Sequence, residues 1–212
     1  MGATPAYIAF EGPEGTGKST QAALLAEALG ALLTRETGGT AIGQRLRDIL
    51  HDNAVDSLEW RAEALITAAD RAQHLAQVVI PALRSGRPVV SDRSVYSTLA
   101  YQGYGRGLDV AELRTINDWA VQGVWPSLIV FVEAPAEVIA HRLTGRELDR
   151  FERAGDEFHE RVLQGFRSMA EADPDHWLTI SADGTKDAIA AEVLAAVRDR
   201  LGSEPTKRGA GV

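Results

Sequence analysis

An unbroken apolar run, Tyr7-Ile8-Ala9-Phe10, ends in Glu11 and gives way to Gly12-Pro13-Glu14-Gly15-Thr16-Gly17-Lys18-Ser19-Thr20. Ala22, Leu25, Ala26 and Leu29 then recur at helical spacing, and Gly30 closes the pattern. Strand, Gly-x-x-x-x-Gly-Lys-Ser and helix in this order make a phosphate-binding loop (P-loop). Glycine lets the backbone curl until successive N–H groups face one concavity. The N-terminus of the helix adds partial positive charge. Lys18 suits the outer phosphates of ATP and the Ser19 hydroxyl suits Mg²⁺. Gly12 to Thr20 is therefore the expected nucleotide cradle. Lys18 is the only lysine before residue 186 in a chain of three lysines and nineteen arginines, so a generally lysine-rich composition does not account for it.

Further apolar runs read as buried strands at residues 31–35, 87–93, 128–132 and 177–180. Helical patterns lie between them. Thr40 is expected to cap a helix reaching Leu50, and Ser57 to cap the longest one, from about Leu58 towards Leu83. Gly103, Gly105 and Gly107 read as a loop. Helices are also expected over 110–122, 135–142, 155–171 and 185–201. Strands alternating with helices imply a parallel sheet covered on both faces, with ligands at the carboxyl ends of the strands. The P-loop, Asp92-Arg93 and Glu133 each follow a strand and should meet along that edge. Residues 143–154 carry three arginines and three acids around one glycine and read as a mobile lid. Residues 1–201 read as a single domain and 202–212 as a disordered tail.

The net charge is −8 over 212 residues. This argues against a general nucleic-acid or membrane-surface binder, which needs a basic face, but leaves small-molecule nucleotides open. With no cysteine, disulfides and thiolate metal sites are excluded. No apolar run approaches the ~20 residues of a membrane span. No secretory signal is visible, and a cytoplasmic protein is expected. The long helix carries Leu58, Ala62, Leu65, Ile66, Ala69, Ala72, Leu75 and Val79. That apolar set is wider than one sheet contact needs, and it points to a homodimer.

Five segments in order resemble bacterial thymidylate kinases (dTMP kinases): Phe10 to Thr20, Thr34-Arg35-Glu36-Thr37-Gly38-Gly39-Thr40, Ala68-Ala69-Asp70-Arg71-Ala72-Gln73-His74, Asp92-Arg93 through Ala100-Tyr101-Gln102-Gly103, and Arg146-Glu147-Leu148-Asp149-Arg150-Phe151-Glu152. The resemblance covers about residues 7 to 200. It implies the α/β, three-layer P-loop NTPase fold with a five-stranded parallel sheet and a short lid, and transfer of the ATP γ-phosphate to dTMP with Mg²⁺. It further implies that Arg93, with Arg47 as second candidate, binds the acceptor phosphate, since a guanidinium fork fits phosphate oxygens. Glu14 should reach towards the acceptor sugar and the metal region, Arg71 the pyrimidine, and Tyr101 and Gln102 the nucleoside. Asp92 should orient Mg²⁺ through water, beside Ser19. Members of the family carry a mobile catalytic arginine either in the P-loop or in the lid. Pro13-Glu14-Gly15-Thr16 has none, so Arg146 and Arg150 are expected to supply it, ahead of Arg153.

Taken alone, the bare residues leave other roles open: a surface turn for Asp92-Arg93, a solvated helix face for Arg71, and simple charge balance for the lid arginines. Four positions depart from the family. Thr37 replaces a proline, Thr67 an aromatic that stacks on thymine, Ser94 an aromatic or histidine, and Glu133 an aspartate. The ATP side is intact and the acceptor side is altered. A kinase for a different or modified pyrimidine nucleotide is therefore the second reading, and a non-catalytic nucleotide-binding regulator the third.

Overall fold

The computed structural model describes residues 5–55, 57–144 and 149–202, apart from the side chains of Ala136, Ala140, His141 and Leu143. Strands β1 (Tyr7–Glu11), β2 (Leu32–Arg35), β3 (Val89–Asp92), β4 (Leu128–Glu133) and β5 (Trp177–Ser181) form one parallel sheet in the order β2-β3-β1-β4-β5. All of β1 is buried, whereas edge strand β2 alternates half-buried and exposed positions and edge strand β5 mixes buried and open ones. That is the burial expected of a central strand covered on both faces. The chain winds outward from β1 to β2, returns through β3, and crosses to β4 and β5. The winding thus reverses beside β1, and a ligand crevice forms where the strands end there.

Helices α1 (Lys18–Leu29) and α9 (Lys186–Gly202) cover one face, packed on Ile8, Phe10, Val130 and Ile180. On the other face α8 (Asp156–Ala172) sets Phe158, Val162 and Phe166 against Ile129 and Phe131. The Phe131 and Phe166 rings stack at 5.6 Å. Each such ring contributes about 1.5–3 kcal/mol by leaving water. Alternation along β4 decides the partition, since Leu128, Val130 and Val132 point one way and Ile129 and Phe131 the other.

Thr40 caps α2 (Ala41–His51), its side chain accepting from the Gly43 N–H at 2.9 Å. Ser57 does not cap the long helix. Glu59 does, through the N–H groups of Arg61 and Ala62, and α3 runs Trp60–His74. The helix then widens into a π turn over Leu75–Val79 before α4 (Ile80–Arg84). Pro81 brings no N–H and its ring crowds the preceding turn, which accounts for the widening just upstream.

The second difference lies after β3. Residues read as a glycine loop are helical: α5 (Val95–Thr98) continues as a π-helical stretch, Leu99–Gly105. A Cβ on Gly105 would stand 2.6 Å from the Phe158 ring, and one on Gly103 would stand 3.0 Å from Val110. These glycines serve close packing rather than turning. α6 (Val110–Val121) and α7 (Ala136–Leu143) complete the helices. Of the lid, residues 145–148, with Arg146, lie outside the described residues, as do 203–212 of the expected tail. Phe151, within the lid, is buried in the core against Tyr101, 5.9 Å away.

Candidate active site

The P-loop wraps the carboxyl end of β1. Gly12 has φ +136°, and a Cβ there would fall 2.3 Å from the Val132 carbonyl oxygen of β4. Gly17 is left-handed and heads α1. Lys18 is buried, and its Nζ donates to the Pro13 carbonyl at 2.6 Å. Thr16 Oγ1 donates to the same carbonyl at 3.0 Å. Burial, and then the neighbouring Arg93, bring the Lys18 ammonium down to about 8. The loop's own backbone thus holds this ammonium.

Two pockets open at the loop. One is lined by Gly15, Gly17, Thr20 and Arg142. The other runs past Arg47, Arg71, Arg93, Thr98 and Tyr101 to Phe151. Glu14, Lys18 and Ser19 line both. Ser19 Oγ donates to Asp92 Oδ2 at 2.5 Å. These oxygens suit Mg²⁺, which takes a few hard protein oxygens and completes its shell with phosphates and water. Among the described residues no group of three or more His, Asp or Glu side chains could hold a metal alone.

Arg93 follows β3 with φ +71°. Its Nη2 donates to the Tyr101 hydroxyl at 3.0 Å and pairs with Glu14 Oε1, and Nη1 donates to Ser97 Oγ at 3.0 Å. Burial pushes the Tyr101 phenol up to about 12, so the hydroxyl stays neutral. Arg47 Nη1 lies 3.3 Å from the Thr37 carbonyl, on the same pocket wall. The Glu36–Thr37 peptide there is cis.

Arg71 is almost wholly buried. Its Nε donates to Glu36 Oε2 at 2.9 Å, Nη1 to Asn117 Oδ1 at 2.5 Å, and Nη2 to Thr98 Oγ1 at 3.1 Å and the Ser94 carbonyl at 3.2 Å. Burial raises the Glu36 carboxyl, but Arg71 and His74 outweigh it and hold the group below its usual value. Thr98 donates on to Thr67 Oγ1 at 3.2 Å, and Thr67 donates to the Ala64 carbonyl. Hydroxyls, not a ring, therefore floor this end of the pocket. Gln102 lines it too, with Nε2 on Glu63 at 2.8 Å.

Not every expected residue converges. The Glu133 carboxylate turns to Arg167 on α8 at 2.7 Å and lines neither pocket. Arg150 lies with Nη2 2.6 Å from buried Glu63, a close ion pair outside hydrogen-bond geometry, while its Nε donates to the Leu50 carbonyl. Conversely, the sequence marks Arg142 only as a helix end. It donates to the Gly15 and Thr16 carbonyls at 3.2 and 3.0 Å and lines the P-loop pocket.

A family model described as thymidylate kinase matches residues 10–193. The chain belongs to the thymidylate kinase family. The match spans both pockets. A thymidylate kinase of Synechococcus sp. (strain JA-2-3B'a(2-13)) is 46% identical over 201 residues, 92% of this chain and 95% of that one. The thymidylate kinase of Clavibacter sepedonicus is 44% identical, covering 91% of this chain and 94% of its own. Among solved structures, thymidylate kinase from Ehrlichia chaffeensis superposes with a TM-score of 0.76 at 29% identity, covering 91% of this chain and 98% of the other. Fold and family thus agree with the resemblance carried by the motifs, and the thymidylate kinase family places this chain among the nucleoside monophosphate kinases.

Proposed function

We propose that the chain transfers the γ-phosphoryl group of ATP to dTMP, giving dTDP and ADP. The observation that carries the reading is the meeting of the two pockets at Glu14, Lys18 and Ser19, because a phosphoryl donor and acceptor must face one another in line. ATP occupies the P-loop pocket, with the loop N–H groups and Lys18 on its outer phosphates. An oxygen of the dTMP phosphate attacks the γ-phosphorus as the bond to the β-bridging oxygen breaks. That oxygen is already anionic, so no base is needed to take a proton. Arg93, with Arg47, holds the acceptor phosphate; Glu14 receives the sugar hydroxyl; and Arg71, Tyr101 and Gln102 line the nucleoside. Ser19 and Asp92 would hold Mg²⁺, which would supply positive charge to offset that of the phosphates. Arg146 and Arg150 supply charge from the lid. Arg150 must leave Glu63 to do so, and lid closure then includes breaking that pair.

A second reading, a different or modified pyrimidine as acceptor, rests on Thr67 and its hydroxyl neighbours. The test of the kinase reading is chromatographic detection of dTDP after incubation with ATP, Mg²⁺ and dTMP. Stoichiometric dTDP and ADP are expected. ADP formed at the same rate without acceptor would overturn the reading.

A homodimer fits the exposed apolar side chains Ile42, Ile49, Trp60, Leu65 and Trp119. They lie on α2, α3 and α6, and α3 packs against both of the others. A sedimentation mass of 22.8 kDa at micromolar concentration would remove the dimer. No described helix is long and apolar enough to cross a membrane, and we place the enzyme in the cytoplasm.

A further inference from the structure

Glu11 is the last residue of β1, fully buried, and lines neither pocket. An ionisable group in a central strand is costly unless its oxygens are used. Here they are. Oε1 accepts from the Ser94 N–H at 2.8 Å and the Ser94 Oγ–H at 2.7 Å, and Oε2 accepts from the Ser97 Oγ–H at 2.6 Å. Ser97 Oγ in turn accepts from Arg93 Nη1. The serine has one proton. Giving it to Glu11 leaves a lone pair directed at the guanidinium.

We propose that Glu11 is a positioning residue that aims the Arg93 guanidinium at the acceptor phosphate through the Ser97 hydroxyl. The inference rests on Arg93 being a ligand of that phosphate. The geometry explains why such a device is needed. Arg93 sits at φ +71°, a backbone region unfavourable to a side-chain-bearing residue. Its own N–H donates to the Phe10 carbonyl, and its carbonyl accepts from Ser91 Oγ. These bonds fix the backbone but not the fork. Of the fork's partners, Glu14 belongs to the loop that receives ATP and is more than a third exposed, and Tyr101 shares Nη2 with it. Among the described residues, the Ser97 contact alone ties the fork back to the sheet through Glu11. The Ser94 hydroxyl gives this carboxylate a further donor. An amide at position 11 would face at least one of these donors with N–H groups, and the Ser97 hydroxyl would turn.

The test is steady-state kinetics of the full-length enzyme carrying Glu11→Gln, Ser97→Ala, both together, or Arg93→Met. Each of the first two single variants should raise the KM for dTMP about tenfold, the scale of one charge-assisted hydrogen bond, with the KM for ATP unchanged. The double variant should be no worse than the more severe single, because both cut one chain. A Glu11→Gln enzyme with lower kcat and an unchanged dTMP KM would mean a merely structural role and overturn the proposal. Multiplying effects would mean that Ser97 acts independently, and would overturn it too. Should Glu11→Gln not fold, Ser97→Ala alone decides, since an unaltered dTMP KM refutes the relay. Arg93→Met separates the two levels of the argument: an unchanged dTMP KM there removes the phosphate-ligand reading itself, whatever Glu11 does.

Discussion

Alanine at Gly12 meets two separate obstacles. The residue has φ +136°, where an L side chain is strained, and its Cβ would lie 2.3 Å from the Val132 carbonyl oxygen and 3.3 Å from the carbonyl carbon. Backbone strain costs about 1–2 kcal/mol. Overlap with a neighbouring strand's backbone, which cannot turn aside as a side chain does, adds about 1–3 kcal/mol or more. Gly30 provides the control. It has φ +62° and nothing within 4 Å of the new Cβ, so only the strain of about 1–2 kcal/mol applies. In a chain of this size each kcal/mol moves the midpoint by about 2–4 °C. Gly30→Ala should therefore melt a few degrees below the parent, and Gly12→Ala roughly 10 °C below it. Circular dichroism melts read this directly. A loop displaced to relieve the overlap should also raise the KM for ATP in Gly12→Ala and leave it unchanged in Gly30→Ala. Melting of the two variants within a degree or two of each other would refute the close-approach argument.

Lys18, brought down to about 8 by burial and by Arg93, should regain its proton against a triphosphate. Affinity for a non-hydrolysable ATP analogue is then expected to fall as pH rises through about 8, with proton uptake on binding. Calorimetry in buffers of different ionisation heat checks this, and zero uptake would contradict it. Its stability effect has the opposite slope: because the folded chain holds this proton less tightly than the unfolded one, the contribution grows from about pH 8 towards the ordinary value of 10.5. Arg71→Met leaves the Glu36 carboxylate buried without its guanidinium, and should cost about 3–5 kcal/mol in urea unfolding. Restoring part of that by adding Glu36→Gln is expected, and no recovery would refute the pair's role. Arg142→Ala should raise the KM for ATP several-fold and leave that for dTMP alone; the reverse pattern would place Arg142 wrongly.

The P-loop could be read from residues 7–20 because its glycine spacing serves a backbone requirement that few other structures share. The five strands were legible because each opens on two or more consecutive apolar residues, and their expected ends agree with the sheet within a residue or two. Arg93, Arg71, Arg47 and Tyr101 could be named from motif positions, and they do converge on one pocket. What escaped was set by tertiary contact. Gly103 and Gly105 carry a loop's composition, yet they are helical because Val110 and Phe158 press against them. Ser57 is the better cap by residue type, and only the fold puts Glu59 in that position. Glu11 had a signal in hand, a charge closing a buried strand, but its partners at 94 and 97 are distant in sequence. Arg142 gave none, since its role depends on α7 lying beside the P-loop carbonyls.

The central claim is tested most directly by ADP release with ATP and Mg²⁺ against dTMP, dUMP, UMP, dCMP, dGMP and dAMP. Acceptor-dependent turnover is expected, with the highest kcat/KM on dTMP, although hydroxyls rather than a ring floor the Thr67 end of the pocket. Acceptor-dependent turnover favouring another pyrimidine would leave the phosphoryl-transfer geometry standing and contradict thymine as the base. ADP release indifferent to every acceptor would contradict the kinase itself.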